Sequence, residues 1–206
     1  MASFFPAFLY ARAVLTRPTE RLARFVGRVN EFDEAVDKWA DGVRGPRLDP
    51  VFYGLSSAAD HGLLWLAIGA LRAARAGDPA IALRLGVIMG TDSALTNGPI
   101  KQCFRRVRPQ LEHLDEKLPY GMHRPITSSF PSGHAASAFT AATVLAGGPA
   151  TPLLYGLAAM VAASRVYVRM HHASDIIAGA ALGLAMGVVA RKLLPLNEKP
   201  LGRNGR

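Results

Sequence analysis

Residues 164–175, SRVYVRMHHASD, hold two arginines, two histidines and an aspartate between runs of alanine, glycine and valine. Asp175 follows His171 by four, which on a helix brings its carboxylate within reach of the imidazole. A carboxylate so placed fixes the ring's tautomer and stabilises the cation formed when the ring attacks, so the pair is a candidate oriented nucleophile. His172 points about 100° away and only shares the same carboxylate at i+3, which suits a packing or rim position.

Two further clusters carry charge or anion-binding geometry. Lys101 and Arg108 are seven apart, and Pro109 follows. Helical spacing puts both cations on one face two turns apart before the proline ends the helix, and both then point at one ligand. Arginine offers a planar fork to phosphate oxygens and lysine a point charge. Read alone, the stretch fits better as a basic juxtamembrane segment touching anionic headgroups. In SSFPSGHAAS, residues 128–137, the small residues through Ser132 and Gly133 form a turn that opens a helical run, where free backbone N–H groups bind anions. His134 stands at the mouth of that turn, although a histidine beside a serine also serves as a simple cap. His171, His172 and Asp175 are metal-ligand types, but the cations gathered with them repel a divalent ion. Arginine and lysine then act as the charge neutralisers, and no metal is expected.

These clusters need a frame that joins them. The chain has 206 residues, half of them hydrophobic, with 24 Lys+Arg against 15 Asp+Glu for a net charge of +9. That excess suits nucleic acid, an anionic membrane surface or a phosphorylated substrate. The single cysteine, Cys103, excludes an internal disulfide and a multi-cysteine zinc site. Residues 1–18 are apolar but lack a preceding positive charge, so they make a poor secretory signal. Over 20–43, Leu22, Phe25, Val26, Val29, Phe32, Val36, Trp39 and Val43 recur at helical spacing among charges, predicting an amphipathic helix lying on the membrane surface. Five apolar stretches follow as candidate spans: 51–74, 80–100, 133–147, 150–167 and 175–194. Their Ala and Gly content suits close helix packing in a bilayer.

The expected fold is therefore all-α, a multi-span transmembrane helical bundle of about five or six spans with an N-terminal amphipathic helix. Residues 1–48 form the interfacial segment, 49–195 the membrane-embedded domain and 196–206 a basic polar tail. With five spans, segments 101–132 and 164–174 share one membrane face. That face collects Lys101, Arg105, Arg106, Arg108, His134, Arg165, Arg169, His171, His172 and Asp175. Asp60 and Asp92 fall inside candidate spans, where a carboxylate costs roughly 2.5–3.5 kcal/mol; pairing with Arg84, or a place in a polar cleft, offsets that cost.

Taken together, the clusters resemble the signature of the type 2 phosphatidic acid phosphatase superfamily, which includes membrane lipid phosphatases, vanadium haloperoxidases and acid phosphatases. Three pieces match in order: Lys101 through Arg108-Pro109, Pro131-Ser132-Gly133-His134, and Ser164-Arg165 through His171 and Asp175. Two spans precede Lys101, where many membrane members have three. The resemblance implies an integral membrane lipid phosphatase in the cell membrane. In it His171 becomes a phosphohistidine, Asp175 orients it, and His134 protonates the leaving oxygen. Lys101, Arg108, Ser132, Gly133 and Arg165 hold the phosphoryl oxygens. No cofactor is implied, and the implied partners are a lipid phosphate and the membrane, with no nucleic acid. Phosphatidate, phosphatidylglycerol phosphate and polyprenyl phosphates or diphosphates are the substrate candidates. A vanadate-dependent haloperoxidase and a non-catalytic anionic-lipid-binding protein are the alternatives.

Overall fold

The computed structural model describes residues 6–109 and 127–196, with side chains from residue 20 onward. Residues 110–126 of the polar stretch and nearly all of the basic tail lie outside the described residues. Within them every regular element is helical: α1 (Pro6–Val43), α2 (Asp49–Ala58), a 3-10 turn (Asp60–Gly62), α3 (Leu63–Ala76), α4 (Pro79–Leu95), a π turn (Thr96–Ile100), α5 (Gly133–Leu145), α6 (Thr151–Tyr167) and α7 (Ala173–Leu193).

Local chemistry sets the boundaries. The Asp78 carboxylate accepts from the Ala80 amide at 3.0 Å to cap α4, and Pro79 takes a first-turn position where its missing N–H costs nothing. Gly77 ends α3 in the left-handed region at φ +62°. At the start of α7 the Asp175 carboxylate accepts from the His172 amide at 2.9 Å. His171 therefore precedes the helix, and Asp175 reaches it from the first turn.

Most of α5 is buried, making it the central helix. It packs on α7 along Gly179, Gly183 and Gly187, and a Cβ at Gly183 would run into the backbone carbonyl of Ala136. The Thr140 hydroxyl lies 3.1 Å from the Gly183 carbonyl oxygen across the same seam. On its other side α5 meets Trp65, Leu85, Ile88 and Met89 of α3 and α4.

The structure corrects the sequence reading at two points, the continuity of 51–74 and the helix through Arg108. Residues 51–74 are not one helix: the chain passes through His61 (φ 53°) and Gly62 (φ 74°) between α2 and α3. A left-handed residue bearing a Cβ costs roughly 1–2 kcal/mol, and here it turns Asp60 out of the helical line. Among the described residues one helix, Ala173–Leu193 with mean hydropathy 1.8, is long and apolar enough to cross a membrane unaided. By contrast α3 and α5, at 14 and 13 residues, fall short of the roughly 20 that a span needs. Finally, helical backbone stops at Gln102 and residues 104–108 run without helix, so Lys101 and Arg108 do not share a helical face.

The amphipathic helix α1 docks on the bundle by its acidic side. Asp33, Asp37 and Asp41, spaced by four, pair with Arg106, His172 and Arg169. Its apolar stripe faces outward, with Phe25 64% and Trp39 67% exposed. Docking and an exposed apolar stripe thus coexist on different sides of one helix.

Candidate active site

A cavity of about 530 Å³ opens at one end of the bundle. Lys101, Arg108, Gly133, His134, Arg165 and His171 reach its wall from three distant stretches of chain, joined by Asp60. The π turn after α4 delivers Lys101, which is 8% exposed. Backbone carbonyls fix Arg108: it donates to the Met170 oxygen at 2.6 Å and to the Thr127 and Ser128 oxygens at 3.3 Å. Arg165, on the last turn of α6, donates to the Ser56 hydroxyl, while its buried Nε has no hydrogen-bond partner. Ser132 is fully buried and caps α5, its hydroxyl accepting from the Ala135 amide at 3.4 Å; the adjacent Gly133 is the residue that reaches the wall.

Two of the wall histidines, His171 and His134, are held differently. His171 Nε2 lies 3.4 Å from an Arg108 guanidinium nitrogen. Because guanidinium only donates, Nε2 is the unprotonated nitrogen and the ring proton sits on Nδ1, toward Asp175. Nδ1 lies 3.6 Å from the Asp175 carboxylate, ion-pair distance rather than a hydrogen bond, and makes no other bond. Burial pushes the His171 pKa down to about 3; Asp175 opposes this shift, and Arg165 and Arg108 add to it. The imidazole is therefore neutral at physiological pH and keeps a lone pair on Nε2. By contrast, His134 Nε2 lies 2.7 Å from Asp60 Oδ1. Burial also pushes Lys101 down, to about 8, and Arg108 and Arg165 add to that shift.

Behind the wall, Asp175 is fully buried and accepts from Arg106 at 2.6 Å as well as from the His172 amide. Arg106 in turn donates to Asp33 of α1, whose carboxylate also accepts from the Ser174 amide at 2.8 Å and its hydroxyl at 2.7 Å. His172 Nδ1 lies 3.0 Å from Asp37, and burial of this ring is outweighed by that carboxylate, so its pKa is raised.

The cations read from the sequence thus divide. Lys101, Arg108 and Arg165 line the cavity, Arg106 supports Asp175 from behind, Arg169 pairs with Asp41, and Arg105 is exposed. Neither Asp60 nor Asp92 meets Arg84, which donates instead to the Pro195 carbonyl at 2.9 Å. Asp60 lies in the polar cavity, while Asp92 accepts from Ser137 at 2.5 Å and from Thr140 at 2.9 Å, tying α4 to α5. Cys103 is exposed, 3.3 Å from the Pro99 carbonyl. Sequence reasoning missed Asp33 and Ser56; the four-residue spacing of Asp33, Asp37 and Asp41 was the available signal for a docking face, and Ser56 gave none.

Comparison with known proteins places this arrangement. The PAP2 superfamily model matches residues 81–199. A decaprenylphosphoryl-5-phosphoribose phosphatase of Mycobacterium tuberculosis, in strains CDC 1551 / Oshkosh and H37Rv, is 30% identical over 139 residues, 66% of this chain and 75% of that protein. The transmembrane PAP2-type phosphatidylglycerolphosphate phosphatase of Bacillus subtilis matches in structure with a TM-score of 0.66 at 26% identity, over 86% of this chain and 90% of its own. Aquifex aeolicus LpxE matches with a TM-score of 0.56, also at 26% identity, over 77% and 93%. A family match over more than half the chain, a phosphatase relative and a shared all-helical membrane frame lead to one assignment: the chain belongs to the PAP2 superfamily and is a membrane phosphatase.

Proposed function

We propose that the chain hydrolyses a lipid phosphate or diphosphate monoester through a phosphohistidine on His171, without a metal. The observation that carries this reading is the convergence of Lys101, Arg108, Arg165, His134 and His171 on one cavity. Nε2 of the neutral His171 attacks phosphorus, the ester P–O bond breaks, and His134 gives the leaving oxygen a proton. The ring, now cationic with its proton on Nδ1, is stabilised by Asp175. His134 then takes a proton from water as the hydroxide attacks phosphorus, the N–P bond breaks, and phosphate leaves with His171 neutral again. Lys101, Arg108 and Arg165, with the Gly133 amide that the Ser132 cap sets at the start of α5, hold the oxygens across which charge spreads.

The headgroup enters at the end of the bundle while the tail stays among the helices, with the apolar stripe of α1 seated at the membrane surface. A polyprenyl-linked sugar phosphate is the favoured substrate class, in line with the activity named for the Mycobacterium tuberculosis relative; phosphatidate and phosphatidylglycerol phosphate are the competitors. The test is phosphate release by the purified chain in detergent from a panel of these lipids, with a chelator control and with His171→Ala. Turnover that survives the chelator and is lost in the variant supports the reading. Turnover that persists in His171→Ala, or that requires magnesium or zinc, contradicts it.

A further inference from the structure

The geometry points to Asp60 as the positioning residue for the second histidine: its carboxylate holds Nε2 of His134, keeps the ring's proton available for the leaving oxygen, and so acts selectively on poor leaving groups. This rests on the reading of His134 as the proton donor to that oxygen.

Three observations converge on it. The carboxylate lies 2.7 Å from His134 Nε2, a charge-assisted distance across 74 residues of sequence. Next, the chain leaves helical geometry to place it there, with His61 at φ 53° and Gly62 at φ 74° interrupting an otherwise apolar helical run. Strained backbone of this kind persists where the surrounding structure holds it, and it clusters at functional sites. Charge supplies the third. The titratable groups of the cavity wall are Asp60, His61, Lys101, Arg108, Arg165 and His171 together with His134 itself. Among the described residues of that wall Asp60 is the only carboxylate, since Asp175 lies behind it, engaged by Arg106 and the His172 amide. An imidazolium facing Lys101, Arg108 and Arg165 needs a counter-charge, and Asp60 is the group that provides one.

In the proton-donating form both ring nitrogens of His134 carry protons, and Nε2–H donates to Asp60. As the P–O bond to the alcohol breaks, the Nδ1 proton passes to the leaving oxygen, and the ring stays as the neutral Nε2–H tautomer against the carboxylate. In the second half Nδ1 recovers a proton from the attacking water. Asp60 stays ionised and holds the tautomer that each half requires.

The test compares full-length wild type, Asp60→Asn, Asp60→Glu, His134→Ala and the Asp60→Asn/His134→Ala double variant on two substrates. One is a lipid phosphate with an alkyl leaving group; the other is nitrophenyl phosphate, whose leaving group needs no proton. The readout is kcat/KM, which in a two-step mechanism reports formation of the phosphoenzyme. Asp60→Asn is expected to lower kcat/KM roughly ten- to a hundredfold on the alkyl ester and less than about threefold on the aryl ester. Its alkaline limb in kcat should move to lower pH, and the substitution should add nothing in the His134→Ala background. Asp60→Glu is expected to recover part of the alkyl rate, and it carries the same comparison should the asparagine variant not fold. Equal losses on the two substrates, or losses that multiply in the double variant, would overturn the inference while leaving the phosphohistidine reading intact. Turnover that persists in His171→Ala would instead overturn that reading and this inference with it.

Discussion

His171 and His134 face one cavity, each with a carboxylate, yet they are built to opposite specifications. The His171 side chain is 3% exposed and its partner Asp175 is fully buried, one helical turn away in sequence and 3.6 Å in space. The His134 side chain is 19% exposed and its partner Asp60 is 40% exposed, distant in sequence but 2.7 Å away. A nucleophile that stays neutral between turnovers profits from a dry, immobile setting. A group that exchanges protons with both substrate and water needs access to each. The difference also separates two kinds of support: Asp175 is anchored from behind by Arg106 and Asp33, whereas Asp60 is presented by a break between α2 and α3.

The substitutions that test this contrast range widely in expected size. His171→Ala should abolish turnover on every substrate, a loss of about 10⁴-fold or more in kcat with lipid binding retained. Asp175→Asn should cost about 10²- to 10⁴-fold in kcat, because the amide no longer selects the Nδ1–H tautomer; the loss should be the same for alkyl and aryl leaving groups, unlike that expected for Asp60→Asn. For Lys101, whose pKa is pushed down to about 8, kcat/KM should fall as pH rises through that value. The sign follows from charge: above that pH the amine is neutral and no longer attracts phosphate oxygens. Lys101→Met should lower kcat/KM and flatten that limb in a pH profile. Asp33→Asn should be mildest, lowering stability by about 1–3 kcal/mol, read as a lower Tm in detergent, with a loss in kcat of up to about tenfold that does not discriminate between leaving groups. If Asp33→Asn instead acted like Asp60→Asn, the two support systems would not be separate.

Much of the arrangement around His171 was legible in the sequence. His171 and Asp175 are close along the chain, and charges stranded between apolar runs announce themselves. The same holds for Lys101, Arg108 and Arg165, though their route to the cavity differed: local spacing suggested a helix through Arg108, whereas the chain leaves helix after Gln102. Asp60 was visible as an anomaly inside an apolar run, but its partner was not, because the His134 contact is set by tertiary packing. The break was marked only by Gly62, one of several glycines in the run, and its first left-handed residue, His61, carries a side chain. For α1 the apolar stripe drew attention to one side of the helix, and the acids that dock it form a second stripe around the cylinder. Span number does not follow from helix length alone, because several of the described helices fall short of the length rule singly.

The most direct test of the account is chemical trapping of the intermediate. Wild-type protein mixed with a phosphorus-labelled lipid phosphate and quenched within a turnover should carry label that is labile to acid and stable to base, mapped to His171 and absent from His171→Ala. Label on a serine or an aspartate, or turnover without any labelled protein while oxygen-isotope analysis shows direct attack by water, would contradict it.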